Sequence, residues 1–297
     1  MHGFLKSIGY NTLTSQAETE DLIKRVIEYP DSIRSYKKPD GTMAVEYLRY
    51  SAKDSGIIVA GEEGPDGVFH FGHYFPFGTG ETEACTEEEI WVSKRVESEA
   101  LTGMCDDPRL GISLIFYVIN QIEYMDIFKG ERCLEGKAVR YTGLAQSGKI
   151  ILPTYVRSED SERIRQENVK KNMLIAEAKK GNQEAIESLT MEDIDRYAMV
   201  SQRIRNEDML SIIDTCIAPF GSESDMYKIT GIIKSCDKTV NKDTKEEIHH
   251  MVVLCNGIPI EVFINSDDLF GEPQEGRRFR GNVWLQGQLI DVQKAAV

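Results

Sequence analysis

The sequence predicts an α+β protein in three parts. An antiparallel β-rich domain spans 1–156, a helical connector spans 157–224, and a small β-barrel-like domain, with an OB-like barrel as one candidate, spans 225–297. Three observations lead there. Residues 43–77 and 226–289 are rich in β-branched and aromatic residues separated by turn sequences. Between them, 159–204 is rich in strong helix formers with apolar residues at helical spacing. The length of 297 residues amounts to about two domains, enough to bury a core without disulfides or metal.

The elements follow in order. Ser15-Gln16-Ala17-Glu18 reads as a capping box, with Leu22, Ile23, Val26 and Ile27 at helical spacing behind it and Pro30 as a stop. Residues 44–50, 55–60 and 68–71 read as a strand meander, with turn chemistry at Lys53-Asp54 and Pro65-Asp66-Gly67. Residues 79–89 are acidic and read as an exposed loop, and 90–96 as a further strand. The apolar run Ile112–Ile119 reads as a buried strand, and 139–145 with 149–155 as a hairpin turning at Gln146-Ser147-Gly148. Helices are expected over 159–180, around 185–189 and from Thr190, with Gly181 as a stop and Asn182 as a new cap. In the last third, Asn256-Gly257 between 248–254 and 258–264 is a strong hairpin signal, 226–235 and 279–289 are further strands, and 237–247 is a solvated loop.

Charge and cysteines narrow the function classes. The net charge is −14, and the parts 1–155, 156–224 and 225–297 carry −8, −4 and −2. No part is basic, which disfavours nucleic-acid partners because phosphate binding draws on Lys and Arg. The six cysteines show no C-x-x-C clip, which argues against a local zinc knuckle and for free thiols in a reducing compartment. The opening residues lack a signal-peptide pattern and no apolar run reaches the ~20 residues of a membrane span, so a cytoplasmic protein without membrane contact is expected.

Motifs are weighed against plainer readings. Gly143 to Lys149 has P-loop spacing, but Ile150 stands where the magnesium-binding Ser or Thr belongs, and a strand rather than a helix follows. Gly78-Thr79-Gly80 is followed by five glutamates within 81–89 that would repel a pyrophosphate. Neighbouring His249 and His250 on a strand face opposite sides. The most unusual string is His70-Phe71-Gly72-His73-Tyr74-Phe75-Pro76-Phe77. On a flat strand His70 and His73 point to opposite faces, while a bulge at Gly72 would bring them together. That string makes His70, His73 and Tyr74 candidate binding residues, although a metal site would need a third ligand from elsewhere. Arg278, Arg280 and Trp284 share one strand face beside Arg277 and form the single basic cluster with an aromatic. They suit base stacking, or simply an edge strand guarded by charge.

The opening Met1 to Tyr10, the run Gly111 to Tyr117, the segment Ala185 to Asp193, and the passage from Glu207-Asp208 through Ser211 to Asp214 and on to Pro219-Phe220-Gly221 carry a resemblance. The chain resembles an uncharacterised bacterial family of about this length, domain-of-unknown-function family 3881. The resemblance covers nearly the whole chain and implies one unit of family length. It brings no activity, ligand or catalytic residue.

With no complete catalytic constellation, the expected function is that of a non-catalytic binding or scaffolding protein, with no cofactor, no assigned metal, and a protein or small molecule as partner. The alternatives are a metal-dependent enzyme centred on His70 and His73, and a single-stranded nucleic-acid binder acting through the C-terminal β domain.

Overall fold

A computed structural model describes residues 2–82, 90–94, 100–107, 112–125, 132–134, 137–151, 182–184, 187–188, 191, 215–222 and 224–291. The chain divides into two compact units: Met1–Ile151 with Thr215–Val297, and Leu152–Asp214. In the second unit, residues 183–184, 187–188 and 191 are helical, and most of the expected helical connector lies outside the described residues.

The first unit opens with a 3-10 turn at Leu5–Ile8, ended by Gly9 in the left-handed region, and with helix α1 (Gln16–Glu28). The capping box forms as the sequence predicts: the Glu18 amide donates to Ser15 Oγ at 3.2 Å, and the Ser15 amide donates to the Glu18 carboxylate at 3.0 Å. Leu22 and Val26 are the buried apolar positions of its inner face, and the helix packs on the first sheet. That sheet is an antiparallel meander of β1 (Ser32–Lys37), β2 (Met43–Ala52), β3 (Ser55–Glu63) and β4 (Phe69–Gly78), in chain order.

The remaining strands form one large sheet. They are β5 (Ile90–Lys94), β6 (Leu101–Asp107), β7 (Ile112–Val118), β8 (Arg132–Leu134), β9 (Lys137–Ile151), β10 (Cys216–Pro219), β11 (Met226–Val240), β12 (Glu247–Cys255), β13 (Ile258–Asn265), the short β14 (Leu269–Phe270) and β15 (Arg278–Asp291). The pairings β11–β12–β13–β9–β15 return to β11, so five strands close a ring. All neighbours in the ring are antiparallel except β13 and β9, which run parallel. Closure leaves these strands few free edges. From the ring, β15 pairs in parallel with β7, which leads on to β6, β5 and β8.

Two cores result. Tyr141, Ile229, Met251, Val253, Ile260, Val262, Phe279 and Val283 belong to the first, on alternating positions of the ring strands. The second contains Leu22 and Val26 of α1, Ile57, Phe75 and Phe77 of the first sheet, and Leu144, Phe263 and Trp284 of the ring. Residues of opposite parity on β9, β13 and β15 thus serve the two cores, so these strands are covered on both faces.

The structure corrects the predicted fold class. Among the described residues there are fifteen strands against one α-helix described from end to end, α1, which makes the fold β-rich rather than α+β. Nor do the C-terminal strands form a barrel of their own, because β9, from the N-terminal part, lies between β13 and β15. The expected hairpin at Gln146-Ser147-Gly148 is also absent. Strand β9 runs straight through, with Gln146 as a bulge between the pairs Ala145–Val283 and Ser147–Asn282. Gly148 is needed there for close approach: a Cβ would sit 2.4 Å from the Phe279 ring. The segment 237–247 is not simply a solvated loop, since β11 runs to Val240 and the buried Asn241 donates to the Ile8 carbonyl at 2.8 Å. The Asn256-Gly257 turn forms as read, with φ of 50° and 83°.

Candidate functional site

Strands β2, β3 and β4 place a set of polar side chains on one face of the first sheet. Cross-strand register aligns Arg34, Glu46, Ala60 and His73 in one row, and Tyr36, Ala44, Glu62 and His70 in the next. The two histidines share this face because β4 is bulged. Ala60 pairs with His73 and Gly61 with Phe71, so Gly72 is the extra residue that restores the parity of His70 to that of His73. A Cβ at Gly72 would lie 3.2 Å from the Ala60 carbonyl oxygen, tighter than an ordinary contact.

This face and the 3-10 turn Gln121–Tyr124 enclose a pocket of about 230 Å³. Its wall includes Glu46, Ala60, His70, His73, Gln121 and Met125, with Lys38 and Glu62 joined by a short ion pair. Neighbouring groups on the turn are occupied: Gln121 donates to the Tyr117 hydroxyl at 3.0 Å and accepts from the Leu101 amide at 2.9 Å. His73 stacks on Phe75 at 5.8 Å and lies 3.5 Å from the Tyr117 hydroxyl.

Glu46 differs from the rest. It is 3 % exposed, and its Oε2 finds no hydrogen-bond partner among the described residues. Burial pushes its carboxyl up to about 7, opposed by nearby Arg34 and reinforced by Glu123. Arg34 cannot serve Glu46 alone, because it also lies 3.7 Å from the Glu123 carboxylate. An unsatisfied buried polar atom is unusual and costly in a native protein.

Arg140 Nε, His249 Nδ1 and Asp268 Oδ2 also find no hydrogen-bond partner among the described residues, but none of these residues lines this pocket. Glu261 is also buried, but His250 sits 2.7 Å from Oε2 and the Thr82 amide donates to Oε1 at 2.8 Å. Burial raises its carboxyl, and these partners outweigh that to leave it below the ordinary value. His250 also stacks on Phe263 at 4.2 Å. A second pocket of about 260 Å³ is lined by Arg34 and Arg140 together with Asp54 and Glu81, so it carries both signs of charge. Among the described residues, no group of three or more His, Cys, Asp or Glu side chains is gathered to hold a metal ion. Cys216, Cys236 and Cys255 are free thiols, and burial pushes Cys236 up to about 11 and Cys255 well above the usual thiol range.

Of the residues singled out from the sequence, His70 and His73 come together in the pocket. Tyr74 does not join them: paired with Val59, it faces the other side of the sheet, where its hydroxyl accepts from the His2 amide at 2.8 Å. Trp284 is 6 % exposed, packs on His2, Phe4 and Tyr117, and donates to Asp225 at 2.9 Å. Its ring therefore offers no open face to a base. Arg278 is buried at 5 % exposure and Arg280 is half-buried, while Arg277 donates to the Glu272 carbonyl at 2.7 Å.

A family described as "Domain of unknown function, E. rectale Gene description (DUF3881)" matches residues 5–287. The chain belongs to the DUF3881 family. The match spans both compact units of this DUF3881 chain and bears out the resemblance drawn from its sequence. No curated protein and no solved structure matches it. Among the described residues, this DUF3881 chain has no helix long and apolar enough to cross a membrane.

Glu46 is the residue that sequence reasoning missed. A signal was available: in Ala44-Val45-Glu46-Tyr47-Leu48 it shares its parity with Ala44 and Leu48, so an acid stands on an otherwise apolar face.

Proposed function

We propose that this protein is a non-catalytic binding protein whose ligand is a small molecule held between the first sheet and the 3-10 turn Gln121–Tyr124. The observation that carries the reading is the orphaned Glu46 oxygen beside a pocket that also holds His70 and His73. A concave, largely apolar cavity with a few convergent polar groups, one of them with a displaced pKa, is the usual form of a ligand site. The volume of about 230 Å³ suits a metabolite smaller than a drug-sized molecule. A bound group that satisfies Glu46 would supply the partner the fold withholds.

The test is equilibrium dialysis of the purified protein against a fractionated cell extract, read by mass spectrometry. Wild-type protein is expected to concentrate one compound class, unchanged after prolonged incubation. Ala60→Phe, which fills the pocket floor, is expected to lose it while keeping the wild-type circular dichroism. If nothing is enriched, or if Ala60→Phe enriches the same compounds equally, the pocket is not the site. Saturable conversion of the enriched compound would overturn the non-catalytic part of the reading.

A further inference from the structure

The charges around the pocket distinguish among ligand classes. The groups facing Glu46 or its rows are Arg34 from β1, Lys38 beyond its end, Glu62 from β3, His70 and His73 from β4, and Glu123 from the 3-10 turn. Lys38 pairs with Glu62, and Arg34 with Glu123. Those contacts leave Glu46 as the one carboxyl of the set without an ion pair or hydrogen bond among the described residues. The amide of Gln121 is spent on Tyr117 and Leu101 and cannot turn to it. An ionised carboxylate accepts hydrogen bonds only, and in a low-dielectric pocket it is best satisfied by a charged N–H donor. An anionic ligand would meet Glu46 as a like charge that no cation of the set offsets through an ion pair.

We infer that the pocket takes a small organic cation, an amine, amidine or guanidine, whose N–H groups pair with Glu46. The inference rests on the pocket being a ligand site. It goes further in naming the chemistry of the ligand. The cation binds the ionised form of Glu46, so its affinity rises with pH as that carboxyl loses its proton, and levels off above neutrality. His70 and His73 line the same pocket, so the pH profile needs the Glu46 variant beside it.

Three isosteric probes separate the possibilities: benzamidine (cation), benzoate (anion) and benzamide (neutral). Titration calorimetry on the full chain at about pH 5.5 and about pH 8 is expected to show benzamidine binding at least ~10-fold tighter at the higher pH. Benzoate and benzamide are expected not to compete. Glu46→Gln keeps the shape and removes the charge, and is expected to weaken benzamidine ~10-fold or more and to flatten its pH dependence. Imidazole resonances of His70 and His73 locate the bound probe in the folded wild-type chain. Benzoate or benzamide binding at these resonances in place of benzamidine overturns the cation class and leaves the pocket standing. No shift with any probe overturns both. Benzamidine binding that is unchanged in Glu46→Gln overturns the pairing.

Discussion

Glu46 and Glu261 are two buried carboxyls on neighbouring parts of one unit, and their surroundings send them in opposite directions. Burial raises Glu46 to about 7. Its folded-state value thus lies above its unfolded one, so the folded chain holds a proton that the unfolded chain has lost. Stability then falls as pH rises from the ordinary carboxylate range through about 7. Glu46→Gln removes this liability. It is expected to be more stable than wild type by on the order of 3 kcal/mol near pH 8, with little difference near pH 4, in urea unfolding. Equal unfolding midpoints at both pH values would contradict the buried, unpaired state of the carboxyl. For Glu261 the net shift is downward, so its contribution is present at neutral pH and is lost as pH falls through its lowered value. Glu261→Ala leaves His250 and the Thr82 amide without their acceptor, and a loss of roughly 3 kcal/mol in the same assay is expected. Glu261→Gln keeps an acceptor oxygen and is expected to lose less.

At the scale of elements, what is legible in the sequence is what is local. The Ser15–Glu18 box and the Asn256-Gly257 turn are set by residues within four positions of each other, and both form as read. The Gly72 bulge is legible as an option, because glycine among aromatics at an edge strand marks such a site, but its outcome depends on how β4 pairs with β3. Gln146-Ser147-Gly148 misleads for the converse reason. Glycine there reads as a turn, while its work is to admit the Phe279 ring across the β9–β15 pair. Gly148→Ala brings a methyl within 2.4 Å of that buried ring and 3.0 Å of Ile264 Cδ1. It is expected to cost roughly 1–3 kcal/mol. A thermal melt checks this, and an unchanged midpoint would mean that β9 is less tightly packed on β15 than the register states. The site shares this partition: two histidines stand out by type and Glu46 as an acid on an apolar strand face, whereas its lack of a partner shows only once its neighbours across the sheet are known.

On the scale of the whole molecule, the sequence places the strands far better than their partners. Strand β9 lies between β13 and β15, more than a hundred residues away in the chain, and nothing in its composition names them. The parts read as separate β domains therefore share one large sheet, with Leu152–Asp214 inserted between its two contributing segments. Each segment alone leaves the ring open. Residues 215–297 supply β11, β12, β13 and β15, and without β9 the facing sides of β13 and β15 carry unpaired backbone groups. Such edges promote aggregation, and the apolar residues on both faces of these strands lose part of their cover. Fragments 1–151 and 215–297, expressed apart, are accordingly expected to be insoluble or to melt without a cooperative transition. Refolded together in equal amounts, they are expected to give a single heterodimeric species with a cooperative melt. A cooperative melt and a dispersed amide spectrum from 215–297 alone would show that the C-terminal strands close without β9, and that the ring seen here is not what holds them.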